Sequence, residues 1–223
     1  MNGIRALSLS LLVWFLFLSP SPAGSQAASV PSFIHFTSTI PPTRYILDHN
    51  TAQIGALRHQ HFHSRAMHTP GLTIADEEMK SDFGMETLRR AGSRVYQVWT
   101  TQINVGFSYN RMDVYISSQY GQGSCPFKAI FDHENQHVAI NTQALQKYAG
   151  IMKQALENYQ GFPTKDHPWK VGSVSKARSV LKKNLLGILN PIFHKFAEEV
   201  IRENAKIDTP ENYKRTQALC RDW

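Results

Sequence analysis

Residues 126–159 read PFKAIFDHENQHVAINTQALQKYAGIMKQALENY. After Pro126, Gly150 is the only helix breaker, and proline suits a first helical position because its missing N–H has no partner to lose there. Phe127, Ile130, Phe131, Val138, Leu145, Tyr148, Met152, Leu156 and Tyr159 recur mostly at three- and four-residue spacings, the stripe of a helix laid on a core. Inside it stands His133-Glu134-Asn135-Gln136-His137, an H-E-x-x-H pattern. Helical residues four apart share one face, so both imidazoles can aim a ring nitrogen at one Zn2+. Glu134 is about a third of a turn away, close enough to reach a water beside the metal without occupying it. Apolar Ile130, Phe131, Val138 and Ala139 around the motif give the dry packing that ligands need.

The segment from Ile130 through Ala139 resembles the active helix of zincin metallopeptidases. More loosely, the order of signal-like segment, strands, H-E-x-x-H helix and helical tail is similar to a bacterial family described as predicted secreted zinc-dependent proteases. The resemblance implies a zincin-like domain with His133 and His137 as zinc ligands and Glu134 as catalytic base. The metzincin extension requires Gly and His where this chain has Ile140 and Gln143, which excludes that subfamily. The Gly-Thr-x-x-Thr-x-Asp pattern of aspzincins is absent too.

The third ligand stays open at this level. Asp208 and Glu211 form one candidate group and Glu198 and Glu199 another, with His194 and His167 behind them. The two cysteines bear on the choice. In an oxidising compartment Cys125 and Cys220 are expected to pair, closing a loop of 95 residues (220 − 125). Such a bridge is worth about 4 kcal/mol in the chain-entropy model. His133 lies about 12 Å along the helix from Cys125, and Glu211 about 13 Å from Cys220 if that segment is helical. Joining the cysteines therefore brings residues 208–213 alongside the histidines.

Outward from this helix, residues 1–27 read as a signal peptide: Arg5 precedes an apolar run broken by serines, then Pro20 and Pro22, then small residues at the cleavage positions. Residues 28–223 are expected to form a single α+β domain, a small antiparallel sheet followed by the long helix and a helical C-terminal half. Ile103, Val105, Phe107 and Tyr109 alternate with polar residues as in a half-buried strand. Asn110-Arg111 reads as a turn before a second strand over 112–118, and either strand offers an edge to an extended peptide. Residues 45–47 and 61–63 look strand-like, while 75–90 carries Met79, Phe83 and Leu88 at helical spacing. A loop is expected over 161–172, then helix from about 173 that Pro191 kinks or restarts, and a last short helix capped by Asp208 or Thr209.

Composition narrows the function. The formal charge of +7, or +6 once Arg5 is removed (7 − 1), is dispersed, and its densest run, 176–183, reads as a solvated helix face. Nucleic acid is therefore not an expected partner, and no membrane span is expected after signal cleavage. No nucleotide loop or Gly-x-Ser-x-Gly elbow is present. The sequence points to an exported hydrolase, periplasmic or secreted, acting on a peptide, a protein or a cell-wall cross-link. Glu134 would take a proton from water, and Tyr213 or His194 would donate to the oxyanion. The alternative is a non-catalytic exported zinc-binding or cell-envelope protein. His59, His61 and His63, with His68 nearby, would share a face on a strand and read as a polar surface.

Overall fold

The computed structural model describes residues 33–62 and 69–223, so the expected signal peptide, His63 and His68 lie outside the described residues. Strands β1 (Ile34–Thr39) and β2 (Arg44–Ile46) lead to helix α1 (Thr51–Phe62). A long hairpin follows, β3 (Gly71–Arg89) and β4 (Tyr96–Ile116), then α2 (Cys125–Asn158). Strand β5 (Trp169–Val171) sits within the expected loop, ahead of α3 (Val174–Ile207) and α4 (Pro210–Ala218). The class is α+β, as expected. Among the described residues no helix is long and apolar enough to cross a membrane.

β4 organises the sheet because a strand has two edges and β3 takes one of them along its length. Antiparallel pairing runs from Gly71 opposite Ile116 to Arg89 opposite Tyr96. The other edge receives three short strands in turn. β5 pairs antiparallel with residues 96–98, while β1 and β2 pair parallel with 103–108 and 113–115. The sheet is therefore mixed, which corrects the expectation of an antiparallel one. Both short parallel strands lie before the hairpin in the chain and run the same way as β4.

The expected turn at Asn110-Arg111 is instead a bulge. Arg111 pairs with Asp76 and Tyr109 with Glu77, so Asn110 is the extra residue; Thr101 plays the same part between Thr100 and Gln102. Each extra residue shifts the alternation by one. The inward set thus passes from Val98 and Thr100 to Ile103, Val105, Phe107 and Tyr109, and then to Met112, Val114 and Ile116. Two bulges let one 21-residue strand keep its apolar side on the helices throughout.

The stretch 75–90 is likewise strand, not helix. Met79 and Phe83 do face the core, but four is a multiple of the strand period as well as close to the helical one. Leu88, off that register, is exposed. Residues 61–63 were expected as strand; His59 and His61 lie on helix α1, where two residues two apart do not share a face.

The main core joins the inner face of β4 to Leu145, Tyr148, Met152 and Leu156 of α2, backed by Leu181, Leu185, Leu189 and Phe196 of α3. α3 runs through Pro191 as one helix, although proline cannot donate to the Gly187 carbonyl. On the opposite face of the sheet, Ile54 of α1 covers Leu72, Ile74 and Tyr115. The expected disulfide is present: Cys125 at the start of α2 is bonded to Cys220, just past α4. It holds the last helix against the first turn of α2. Replacing both cysteines by serine is expected to lower stability by about 2–5 kcal/mol, measurable by equilibrium guanidinium unfolding against the oxidised parent.

Candidate metal centre

His133, Glu134 and His137 are buried on the side of α2 that faces the sheet and the end of α3. The Nε2 atoms of both histidines lie 3.2 Å from the same oxygen, Asp208 Oδ1. Asp208 is the C-cap of α3 and precedes Thr209, whose side chain caps α4. Among the described residues these three form a group whose ligand atoms all lie within 4.8 Å of one another and could hold a metal ion. The spacing tests the fit. Tetrahedral coordination with bonds near 2.0–2.2 Å puts neighbouring donor atoms roughly 3.3 Å apart, close to the two histidine–Asp208 separations.

Each ligand is held by a neighbour. Nδ1 of His137 lies 2.7 Å from Asn204 Oδ1, which accepts its proton and leaves Nε2 for the centre. Asn204 stands one helical turn before Asp208, so a single face of α3 addresses both nitrogens of His137 and, through Asp208, His133. Tyr213 of α4 donates its hydroxyl to Asp208 Oδ1 at 2.8 Å, and its ring packs 5.4 Å from that of His133.

Glu134 belongs to the same cluster but stands outside the ligand group. Its Oε2 accepts a hydrogen bond from Thr73 Oγ1 at 2.8 Å. Gly71 makes room for it: a Cβ at position 71 would fall 2.5 Å from Glu134 Oε1 and 2.6 Å from Ile130 Cγ2. Burial pushes the Glu134 carboxyl above the ordinary range, although His137, Thr73 and His133 pull the other way. For Asp208 burial also disfavours the charge, but the hydrogen bonds from His133 and His137 prevail and hold its carboxyl well below the usual range. His137 is raised: burial works against its positive form, yet Asp208 and Glu134 favour it more. Burial, then the charge of Asp208, raise the Tyr213 phenol, which stays protonated and able to donate.

The cluster opens on a cleft of about 550 Å³. β3 supplies one side with Gly71, Thr73, Ala75 and Glu77, while α3 supplies Phe196, Ala197, Val200 and Ile201. Arg58 and Phe62, one turn apart on α1, line it beside Tyr213. Of the sequence candidates for a third ligand, Asp208 joins the histidines and the others do not. Glu211 is exposed in the first turn of α4, and Glu198 is exposed. Glu199 is engaged by Lys147 and Tyr148. His194 is exposed on α3 and His167 lies in the exposed loop before β5. Neither 103–109 nor 112–116 offers a free edge, because both belong to β4, which ends before the expected 118; the strand beside the cleft is β3, which pairs on one side only among the described residues.

Sequence reasoning missed Asn204, Thr73 and Gly71. The Asn204–Asp208 spacing of four was the available signal for the first. The other two carry none, since they depend on how β3 meets α2. Gly71→Ala is expected to displace Glu134 and Ile130, costing about 1–3 kcal/mol in denaturant unfolding. For metal content, His133→Ala, His137→Ala and Asp208→Ala are expected to abolish stoichiometric binding, and Asn204→Ala to weaken it about 10- to 100-fold, read by competition with a chromophoric chelator. No protein-family model, curated protein or solved structure matches this chain.

Proposed function

We propose that the chain is a zinc-dependent peptidase of zincin-like design, exported to the periplasm or beyond. Two imidazoles and one carboxylate suit zinc, and three protein ligands are the number that catalytic zinc sites use. The observation that carries the reading is Glu134. A carboxylate that does not join the ligand group, buried beside it and held at one oxygen by Thr73, has no use in a structural site closed by protein ligands.

Zinc bound by His133, His137 and Asp208 would acidify a water and polarise a carbonyl. The remaining work falls to the chain. Thr73 occupies Glu134 Oε2, so Oε1 accepts the proton of the attacking water and passes it to the leaving amine. The raised proton affinity of that carboxyl favours the first of these transfers. With a metal on Asp208 Oδ1 in place of the hydrogen bond from Tyr213, that phenol at the cleft would be free to donate to the oxyanion, and exposed His194 drops from that role. An extended peptide fits beside β3, whose outer edge can pair with it in the manner of an added strand. The Cys125–Cys220 bridge supports an oxidising compartment, in keeping with the signal-like residues 1–27.

Glu134→Gln separates catalysis from binding. The variant is expected to keep its zinc while peptide hydrolysis falls by about 100- to 10,000-fold in kcat/KM. Equal zinc content with unchanged turnover would remove Glu134 from the reaction. Zinc binding with no hydrolysis of any peptide or cell-wall cross-link by the parent would leave a zinc-binding protein.

A further inference from the structure

The cleft holds a charge that catalysis leaves unused. Glu77 lines it from the same face of β3 as Thr73 and Ala75. Three other acids along this strand are engaged, Asp76 with Arg111, Glu78 with Lys80, and Asp82 with the amide of Asn104, while Glu86 does not line the cleft. Glu77 has no such partner among the described residues, and it is exposed. Across the cleft stands the apolar side of α3, Ala197, Val200 and Ile201, the last 70% exposed. A carboxylate facing an apolar wall matches a side chain with a long apolar stem and a cationic tip, which is the chemistry of lysine and arginine.

Position sets the register. Thr73, which grips Glu134, and Glu77 are four strand residues apart, about 13 Å at roughly 3.3 Å per residue. A peptide extended along β3 has the same rise. At the catalytic end Arg58 lines the cleft close enough for its charge to bear on the Tyr213 phenol, and it repels a cation there. We infer that the cleft selects extended peptides bearing a lysine or arginine three to four residues from the bond to be cut, its cation on Glu77 and its stem on α3. This inference rests on the cleft being the peptide site of the proposed hydrolase.

The test uses dye-labelled decapeptides, acetylated and amidated, in which one lysine or one glutamate is moved through an otherwise neutral sequence. Binding is read by fluorescence anisotropy on the zinc-loaded Glu134→Gln chain with and without Glu77→Lys, and cleavage is read on the parent and on Glu77→Lys alone. Lysine peptides are expected to bind the Glu77 chain more tightly than glutamate peptides, and the order to reverse in Glu77→Lys. The ratio of dissociation constants should move by about tenfold, as expected when a partly exposed attraction becomes a repulsion, and shrink in high salt. The same preference in both chains would overturn the inference. So would a Glu77→Lys effect confined to a lysine-free peptide with an unblocked N-terminus, which would assign the cation to the terminus. Reversed binding with no cleavage by the parent would keep the subsite and remove the peptidase. Cleavage indifferent to Glu77→Lys would keep the peptidase and remove the subsite.

Discussion

Two imidazoles one turn apart on a helix cannot complete a metal site by themselves; a third donor must arrive from elsewhere in the chain and stay. Here that donor is Asp208 Oδ1, shared at 3.2 Å by both histidines, and much of the C-terminal half serves to keep it there. α3 carries it across 34 residues of helix packed on α2. α4 then turns back, places Tyr213 on the same oxygen, and is bonded through Cys220 to the first residue of α2. Asp208 is thus held from both sides of the joint between two helices. An aspartate at a helix C-terminus opposes the dipole of that helix, an arrangement that costs stability unless something near it is positive. His137, whose positive form Asp208 and Glu134 favour, supplies that charge in the protein alone, and a cation would supply more.

The electrostatics of the cluster point to the same requirement. Burying a carboxylate is costly without compensation, and Glu134 is buried with Asp208 half-buried beside it. The two respond oppositely. Asp208 receives hydrogen bonds from both histidines and from Tyr213, and its charge is favoured despite burial. Glu134 has Thr73 and the fields of the histidines, which do not overcome desolvation. The charge of one is favoured, while the proton affinity of the other is raised. Pairs of carboxylates driven apart in this way are how acid–base roles divide at neutral pH.

Legibility in the sequence follows the range of the forces involved. The helix of residues 125–158 and its histidine pair are written in local periodicity, and they were readable. The pairing of Cys125 with Cys220 was readable from compartment logic, and it carried information about Asp208 because helix rise converts residue counts into distance. Glu211 passed the same arithmetic and failed on direction, since the first turn of α4 points it outward. β3 was misread because Met79 and Phe83, four apart, satisfy both periods; only the pairing with β4 decides between them. The bulge at Asn110 mimicked a turn for a similar reason. A one-residue shift in alternation marks either a reversal or an inserted residue, and the partner strand distinguishes the two.

The contact between β3 and α2 links the metal-ligand cluster to the cleft. Gly71 and Thr73 occupy alternate positions on the inner face of one strand. The first removes the side chain that would strike Glu134, and the second supplies the hydroxyl that orients it. The strand then continues past the cluster through Ala75 to Glu77 along the cleft. A single element therefore sets the Glu134 carboxylate and lines the cleft beside it. Any shift of β3 against β4 would move Gly71, Thr73 and Glu77 together relative to Glu134 on α2, so the pairing with β4 holds both the grip on Glu134 and the place of Glu77. On the proposed function, a site built this way would tie where a chain is cut to what it carries a few residues away, because both are measured along the same strand.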